Sequence, residues 1–250
     1  MASKFYVVWA GRETGIFTEW STCKKQVDGF VGARYKSFLT REEAEAAFGG
    51  AKPTAGTGRA AASGAKIKTY NAAEVNALPV QVKIFTDGGC EPNPGEAGSG
   101  VAVYCDNKLT ALWYGLYNPM GTNNTAELNA LHQGLLLAQE EVAKGKTAAV
   151  FSDSQYAIQC VVQWAVSWEK AGWKKKSGEI KNLELIQQIY ALHQTLKDKV
   201  QVLHVNGHVG VQGNELADRM SILAIKTHER EFALYRESLD VVALLAMRAG

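Results

Sequence analysis

A chain of 250 residues with 46% apolar residues can form one full domain and one small one, and a net charge of +2 leaves room for local basic patches that bind nucleic acid. The four cysteines, Cys23, Cys90, Cys105 and Cys160, lack the paired spacing of a zinc site or a disulfide framework. No signal peptide, transmembrane run or Arg-rich presequence is visible, so we expect a cytoplasmic, bacterial protein without a membrane partner.

Residues 1–49 predict a small separate unit. Its expected elements are a β-hairpin formed by Phe5–Trp9 and Ile16–Trp20, a helix from Ser21 to about Val27, a strand over Tyr35–Phe38, and a second helix that a capping box at Thr40–Glu43 opens. Because so small a unit has little core, its aromatic residues are either that core or an exposed binding surface.

Residues 50–79 predict a flexible, weakly basic linker. Up to about Ala65 the stretch is rich in glycine, alanine and serine and has no acidic residue. Such a tether would raise the effective concentration of a ligand at the second unit once the first unit has bound it.

Two predicted strands each end at an aspartate. The β-branched and aromatic run Val82–Thr86 leads to Asp87 and gives way to a turn rich in glycine and proline at 88–95. The run Ala148–Phe151 leads to Asp153, and a helix is expected to begin close behind it. If the two strands are parallel neighbours, their terminal carboxylates meet.

Two further acids lie on predicted helices. Polar residues from Thr122 to Thr125 precede a long helical pattern, and Glu127 is expected in the first turn of that helix. A flexible loop from Gly207 leads to another helix, which carries Asp218 in its early part.

Gathering Asp87, Glu127, Asp153 and Asp218 in one place is unfavourable, because like charges raise one another's pKa unless a cation neutralises them. Oxygen ligands favour Mg²⁺ or Mn²⁺. Two such ions about 3.5–4 Å apart are the common arrangement in metal-dependent nucleases. Each acid alone is as easily a helix cap or a surface charge. The four together predict a two-metal phosphodiesterase.

A segment from Trp164 to Lys176 mixes three tryptophans with four lysines. Aromatic rings can lie against sugars while lysines neutralise phosphates, which is typical of a surface that follows a nucleic-acid backbone. The alternative is a solvated charged helix whose tryptophans are core. Since Trp164 and Trp168 are one turn apart, at least one of them must pack inward.

Residues 227–250 predict an amphipathic helix. Phe232, Tyr235, Leu239, Val242 and Leu245 recur at helical spacing among charged residues. We expect this helix to pack back onto the preceding domain in a monomer, with self-association as the alternative.

Four strings taken in order strongly resemble the type 1 ribonuclease H family over residues 80–226: FTDGGCEPNPG, TNNTAEL, FSDSQYAI and NGHVGVQGNELAD. The resemblance implies an α/β domain with a mixed five-stranded sheet and flanking helices. It also implies an endonuclease that cleaves the RNA strand of RNA–DNA hybrids, leaves 5′-phosphomonoesters, and supports primer removal and R-loop clearance. Asp87, Glu127, Asp153 and Asp218 would bind two Mg²⁺ ions, with Mn²⁺ as the alternative metal.

The resemblance implies roles for residues around the carboxylates. His208 matches a loop histidine thought to help deprotonate the attacking water or to help the product leave. Asn93, Asn123 and Gln155 match positions that read the minor groove of the hybrid, where amides suit the 2′-hydroxyl groups.

A pocket for a DNA phosphate is implied at Thr122 and Asn182. Met120 stands where many members place an arginine near that pocket, which leaves the strength of the phosphate contact open. The segment from Trp164 to Lys176 resembles the family's basic protrusion, which grips the DNA strand. Its candidate contacts are Trp164, Trp168, Lys174 and Lys175.

Residues 1–49 resemble the small α+β hybrid-binding domain found at the N-terminus of many type 1 ribonucleases H. The resemblance places Tyr6, Trp20 and Tyr35 against the sugars of the DNA strand and Lys36 against a phosphate. Ser37 departs from the lysine often found next to it. Duplex RNA is a second candidate ligand of this unit.

Two other functions remain open. One is a binding protein for hybrids or duplex RNA whose catalytic site has decayed, although none of the four acids is lost. The other is an integrase-type nuclease that acts on DNA with the same fold, against which stand the hybrid-binding resemblance and the amide residues.

Overall fold

The computed structural model describes residues 5–28, 30, 34–38, 40–41, 44–45, 48, 67–175, 178–207 and 210–250. The chain divides into two compact units, Met1–Ser63 and Gly64–Gly250, which are described separately. Most of the helix predicted from Thr40, the linker up to residue 66, and His208 lie outside the described residues. Within those ranges, no helix combines the length and the apolar character needed to cross a membrane.

In the described part of the first unit, a three-stranded antiparallel sheet in the order β2-β1-β3 packs against a helix that follows β2. Its elements are β1 (Phe5–Ala10), β2 (Gly15–Phe17), α1 (Trp20–Val27) and β3 (Arg34–Phe38). Val8, Cys23 and Val27 form its buried cluster. Trp20 was expected to end the second strand but begins the helix, because pairing with β1 stops at Phe17 and an extended Glu19 caps α1.

The second unit is an α/β domain on one mixed seven-stranded sheet, in the order β10-β7-β6-β5-β8-β9-β4. Its strands are β4 (Thr69–Tyr70), β5 (Val82–Glu91), β6 (Gly95–Cys105), β7 (Lys108–Gly121), β8 (Ala148–Ser152), β9 (Val200–Val205) and β10 (Ala233–Leu234). Strands β5 to β7 pair antiparallel, whereas β5, β8 and β9 pair parallel. These five strands confirm the predicted mixed sheet. Two-residue strands extend it at each edge.

Helices pack against both faces of this sheet. They are α2 (Ala72–Ala77), α3 (Asn123–Ala143), α4 (Gln155–Ile158), a π-helical segment (Gln159–Trp164), α5 (Ala165–Lys170), α6 (Leu183–Leu196), α7 (Gln212–Thr227) and α8 (Val241–Leu245). Because side chains alternate along a strand, Ile84 and Val150 join a buried cluster with α3 and α6, whereas Phe85 and Phe151 join another with α7.

The turn expected directly after Asp87 is wrong, because β5 continues to Glu91. The glycines there allow close packing. A Cβ on Gly88 would lie 2.2 Å from the backbone of Ala126 in α3, and one on Gly89 would lie 2.9 Å from Ser221 Oγ in α7. Asp87 therefore lies within a strand whose backbone is contacted by a helix on each side.

Residues 69–77, within the stretch predicted as a flexible linker, are folded. β4 pairs parallel with β9, and a capping box at Asn71 and Glu74 opens α2. Val75 is buried, and Lys83 Nζ donates to the Asn76 carbonyl (3.0 Å). Strand pairing and burial thus hold residues 69–77 on the second unit.

Residues 229–250, called the C-terminal segment below, do not form the amphipathic helix predicted over 227–250. α7 ends where His228 takes a left-handed conformation with φ 53°. The chain then adds β10 to β7, and only Val241–Leu245, capped by Asp240, are helical in this segment. Of the apolar residues at helical spacing, Phe232 and Tyr235 flank β10, Leu239 lies in the connecting loop, and Val242 and Leu245 lie in the short helix.

The C-terminal segment packs on the second unit. Phe232 stacks on Trp113 with ring centroids 5.4 Å apart, and Leu244 is 2% exposed. Gly115 permits the strand pairing, because a Cβ there would lie 1.8 Å from the Glu231 carbonyl oxygen. These contacts favour the strand over a free helix.

Candidate active site

Strand register brings Asp87 and Asp153 to the same level of the sheet. Thr86 of β5 pairs with Ser152 of the parallel strand β8, and each aspartate is the next residue along its chain. Both aspartates line one cavity. The juxtaposition predicted from the two apolar runs is therefore present.

Glu127 is placed by the close approach of α3 to β5, since only a glycine at 88 leaves room for the helix backbone. Two hydrogen bonds hold its carboxylate: Asn123 Nδ2 donates to Oε1 (2.7 Å), and Ser154 Oγ donates to Oε2. Ser154 is also the N-cap of α4, where its hydroxyl accepts from the Ala157 amide. One residue thus fixes both a helix start and a carboxylate.

Asp218 lies on α7, which packs tightly on β6. A Cβ on Gly100 of β6 would lie 2.1 Å from the Ala217 carbonyl oxygen. The Asp218 carboxylate is buried and accepts from Arg219 Nη1. The backbone amide of Gly250 also donates to it, 3.1 Å from Oδ1 and 3.2 Å from Oδ2.

Neighbouring acids affect the pKa values of Asp87 and Glu127. Burial raises the pKa of Asp87 well above its ordinary value, and the charges of Asp153 and Asp218 raise it further. Burial raises the pKa of Glu127 to about 7, with a smaller contribution from Asp153 against the lowering effect of Ser154. The cluster therefore resists carrying its full negative charge without a cation.

The four carboxylates share a cavity of about 350 Å³ with Asn123, Glu91, Arg248 and Gly250 among its other lining residues. Among the described residues, no three His, Cys, Asp or Glu side chains already surround a single ion position. Amide and hydroxyl donors hold the acid oxygens instead. The oxygen-only donor set and its mutual repulsion nevertheless fit a hard divalent cation.

The structure adds supporting residues that sequence reasoning missed. Asn214 Nδ2 donates to Asp153 Oδ2 (3.0 Å). His204 Nε2 donates to the Asp153 carbonyl (3.1 Å), and its Nδ1 pairs with the Thr69 hydroxyl (2.8 Å). The sequence places Asn214 one helical turn before Asp218, so its position near the site could have been predicted. Thr69 reaches His204 only because β4 pairs with β9, and no local sequence pattern predicts that contact.

His208 lies outside the described residues, so the role implied for it stays a prediction. Its neighbour Gly207 lies against the site, since a Cβ there would be 2.5 Å from Asp153 Oδ2. Gly207 therefore lies next to this aspartate.

Thr122, predicted to contact a phosphate, and Asn123, predicted to contact the minor groove, lie at the start of α3, whereas Asn182 directly precedes α6. Thr122 is the N-cap, and Thr125 Oγ1 links it to Asn182, with 2.8 Å to Thr122 Oγ1 and 3.1 Å to Asn182 Oδ1. Asn93 Oδ1 accepts a hydrogen bond from the backbone amide of Asn123 (3.3 Å). Met120 is 74% exposed nearby in sequence, at the end of β7.

The segment from Trp164 divides between core and surface. Trp168 packs against the buried cluster of α3 and α6, as required of at least one of the two tryptophans. Trp164 is 37% exposed and contacts Trp168 with ring centroids 5.8 Å apart. Lys174, Lys175 and Gln155 are exposed. The structure therefore leaves Trp164 and the lysines available to a ligand.

In the first unit, three aromatic residues form one exposed cluster. Trp20 lies between Tyr6 and Tyr35, with ring centroids 5.5 Å and 5.7 Å away. Trp20 and Tyr35 are 44% and 47% exposed. Alternation along β3 puts Lys36 on the opposite face, with its Nζ 5.5 Å from the Phe38 ring centroid, so the structure does not bring Lys36 to this cluster.

Comparisons with known proteins cover both units. The RNase H family model matches residues 79–226, and the model described as the ribonuclease H1 N-terminal domain matches residues 4–48. Ribonuclease H1 of Rattus norvegicus is 30% identical over 263 residues, which covers 90% of each chain. Ribonuclease H of Pseudomonas syringae pv. syringae is 37% identical over 141 residues, covering 56% of this chain and 89% of its own.

Among solved structures, the crystal structure of a type 1 RNase H with the type 2 active-site motif matches with a TM-score of 0.51 and 24% identity. It covers 68% of this chain and 86% of the other. At this identity the likeness shows a shared fold.

Proposed function

The chain belongs to the ribonuclease H family, enzymes that cleave RNA in RNA–DNA hybrids, and from that premise we propose the residues and mechanism by which it acts. We infer that Asp87, Glu127, Asp153 and Asp218 hold two divalent ions, Mg²⁺ in the cell with Mn²⁺ as a substitute. The products are 5′-phosphomonoesters, and primer removal and R-loop clearance are the processes served.

The observation that supports this proposal is the shared cavity. Four acids, from β5, from α3, from the residue after β8 and from α7, line one space although burial opposes the charges of Asp87 and Glu127. Buried acids are gathered in this way where a bound cation neutralises them or where their raised pKa values serve a reaction. The family depends on divalent metal ions, which meets that condition.

When bound, the ions would activate a water molecule and neutralise the charge that develops on the phosphate and the leaving oxygen. The chain's own groups decide where this happens. Asn123 and Ser154 hold Glu127, and Asn214 holds Asp153, so each carboxylate is oriented before the substrate arrives. Glu127 must lose its proton before it can act as a ligand, and its pKa of about 7 makes that step sensitive to pH near neutrality. His208 would accept a proton from the attacking water or assist product release.

Recognition of the hybrid would combine three surfaces. The amides of Asn93, Asn123 and Gln155 suit the 2′-hydroxyl groups that distinguish RNA from DNA. Thr122 and Asn182, joined through Thr125, would offer polar groups to a phosphate of the DNA strand. Trp164, Trp168, Lys174 and Lys175 would follow the DNA backbone, with Trp168 acting mainly as packing support.

The first unit would hold the hybrid through Tyr6, Trp20 and Tyr35, since an aromatic cluster this exposed in a small domain is suited to the sugars of the DNA strand. Lys36 would reach a phosphate only from the other face of β3, and duplex RNA is a second ligand for this unit. Deleting residues 1–49 should therefore weaken binding to long hybrids and reduce repeated cutting of one duplex.

Cleavage of one labelled sequence, presented as RNA–DNA hybrid, duplex RNA and duplex DNA with Mg²⁺ or EDTA, tests the proposal. We expect metal-dependent cutting of the RNA strand of the hybrid, abolished in Asp153→Asn and retained in Asp198→Asn, which changes an exposed aspartate. Hybrid binding without cutting would indicate a binding protein instead. Cutting of duplex DNA would indicate an integrase-type nuclease.

A further inference from the structure

The C-terminal segment reaches the candidate active site and is anchored on both sides of Arg248. Leu244 is buried, and Leu245 and Met247 pack against the cluster that contains Phe85 and Leu216. Arg219 Nη2 donates to the Leu245 carbonyl (3.4 Å). Beyond Arg248, the Gly250 amide donates to Asp218. These contacts place the arginine at the wall of the carboxylate cavity.

Charge sets Arg248 apart from its surroundings. The described residues that line this cavity include the four candidate metal ligands and Glu91, and among them Arg248 is the only cation. Its guanidinium forms an ion pair with Glu91, and the two side chains are 71% and 63% exposed. Exposed ion pairs of this kind contribute little to stability, so an incoming phosphate can readily replace Glu91.

We propose that Arg248 is a substrate-binding residue that contacts a phosphate of the cleaved strand next to the scissile phosphate. The inference rests on the proposed function, since it requires a polynucleotide in this cavity. A guanidinium binds phosphate oxygens through two parallel hydrogen bonds. A strand that enters a cavity lined by carboxylates brings phosphates to its rim, where one fixed cation offsets the repulsion.

The alternative is that Arg248 only ties the C-terminal segment to β5 through Glu91. The two roles predict different effects of Glu91→Gln on substrate binding. If the ion pair is a structural tie, Glu91→Gln must produce the same defect as Arg248→Gln. If Arg248 binds phosphate, Glu91→Gln frees the guanidinium and leaves substrate binding unchanged or stronger.

The experiment uses the full chain and a hybrid too short to engage both units at once. Its KM and kcat are measured over a range of salt concentrations, and its Kd is measured by fluorescence anisotropy in EDTA. For Arg248→Gln we expect KM and Kd to rise about tenfold, as for loss of one charge-assisted phosphate contact. We expect kcat to stay within about twofold and the salt dependence of log Kd to fall by about one unit. Arg248→Lys should recover part of the affinity.

Arg236→Gln is the matched control, since Arg236 is exposed in the same segment and does not line the cavity. It should leave KM, Kd and the melting temperature unchanged. An unchanged KM and Kd in Arg248→Gln would overturn the proposal, and so would an equal rise in Glu91→Gln. If the native chain failed to cut the hybrid, the proposed function would fail, while the Kd comparison would still decide whether Arg248 binds the strand.

Discussion

Replacing Glu127 by glutamine should stabilise the metal-free protein while removing a candidate metal ligand. Glutamine keeps the shape of the side chain and can still accept from Asn123 Nδ2 and bond to Ser154 Oγ. What it removes is an ionisable group whose pKa burial raises from 4.5 to about 7. A carboxyl with a raised pKa binds its proton more tightly in the folded state than in the unfolded chain, so folding stability falls as pH rises between those two values.

The size of the effect follows from that shift. At pH 8, above the folded value of about 7, ionised Glu127 lowers the free energy of unfolding by about 3 kcal/mol relative to a neutral group. At pH 5 the folded protein keeps the proton and the difference falls to about 1 kcal/mol, and at pH 4 it is close to zero. Glu127→Gln should recover these amounts at each pH.

Urea denaturation in EDTA at pH 4, 5 and 8 measures the difference directly. Glu140→Gln, on the exposed side of the same helix, controls for helix propensity and net charge. Adding Mg²⁺ at pH 8 should then stabilise the native chain more than Glu127→Gln, because the variant lacks one of the acids. A variant no more stable than the native chain at pH 8, or equally stabilised at all three pH values, would refute the reasoning.

Three further predictions address the supports of the site. Gly88→Ala should lower the free energy of unfolding by about 1–3 kcal/mol in urea titrations and abolish cutting, because its Cβ would lie 2.2 Å from the backbone of α3. A variant as stable and active as the native chain would contradict this packing. Ser37→Lys should tighten hybrid binding in anisotropy titrations, since residue 37 pairs with Tyr6 on the face of the aromatic cluster. Trp20→Ala should weaken binding, since Trp20 contacts Tyr6 in that cluster. No change in Kd for either variant would argue against that surface. Thr69→Val should cost about 1 kcal/mol of stability through the lost hydrogen bond to His204, and Thr69→Ser should not; equal stability of the two variants would show that the hydroxyl is not needed.

The sequence predicted most of the elements that carry chemistry in the second unit. Strands and helices there follow from apolar runs and helical spacing, and the strands before Asp87 and Asp153 pair in parallel as expected. The family motifs predicted the chemistry, because each acid falls within one of the four quoted strings. The local sequence pattern was sufficient to predict a side chain's position wherever that position depends only on the strand or helix that carries it.

Predictions failed where long-range packing overrides local pattern. Glycines at 88 and 89 resemble a turn, yet they belong to a strand because two helices approach the backbone there. The C-terminal segment has helical spacing, yet stacking of Phe232 on Trp113 and pairing with β7 draw part of it into the sheet. Propensity is a weak local preference, and burial against a distant element outweighs it.

The amino-acid sequence by itself determined the family, the four carboxylates and the aromatic residues of the first unit, because these are properties of residue identity and order. Only the tertiary structure decided which groups hold each carboxylate, that Lys36 faces away from the aromatic cluster, and that Arg248 and Gly250 reach the cavity. Gly250 is 32 residues from Asp218 in sequence, and no periodicity reports a contact across that distance. Such contacts are selected by the packing of whole elements, which becomes visible only once the sheet and its helices are assembled.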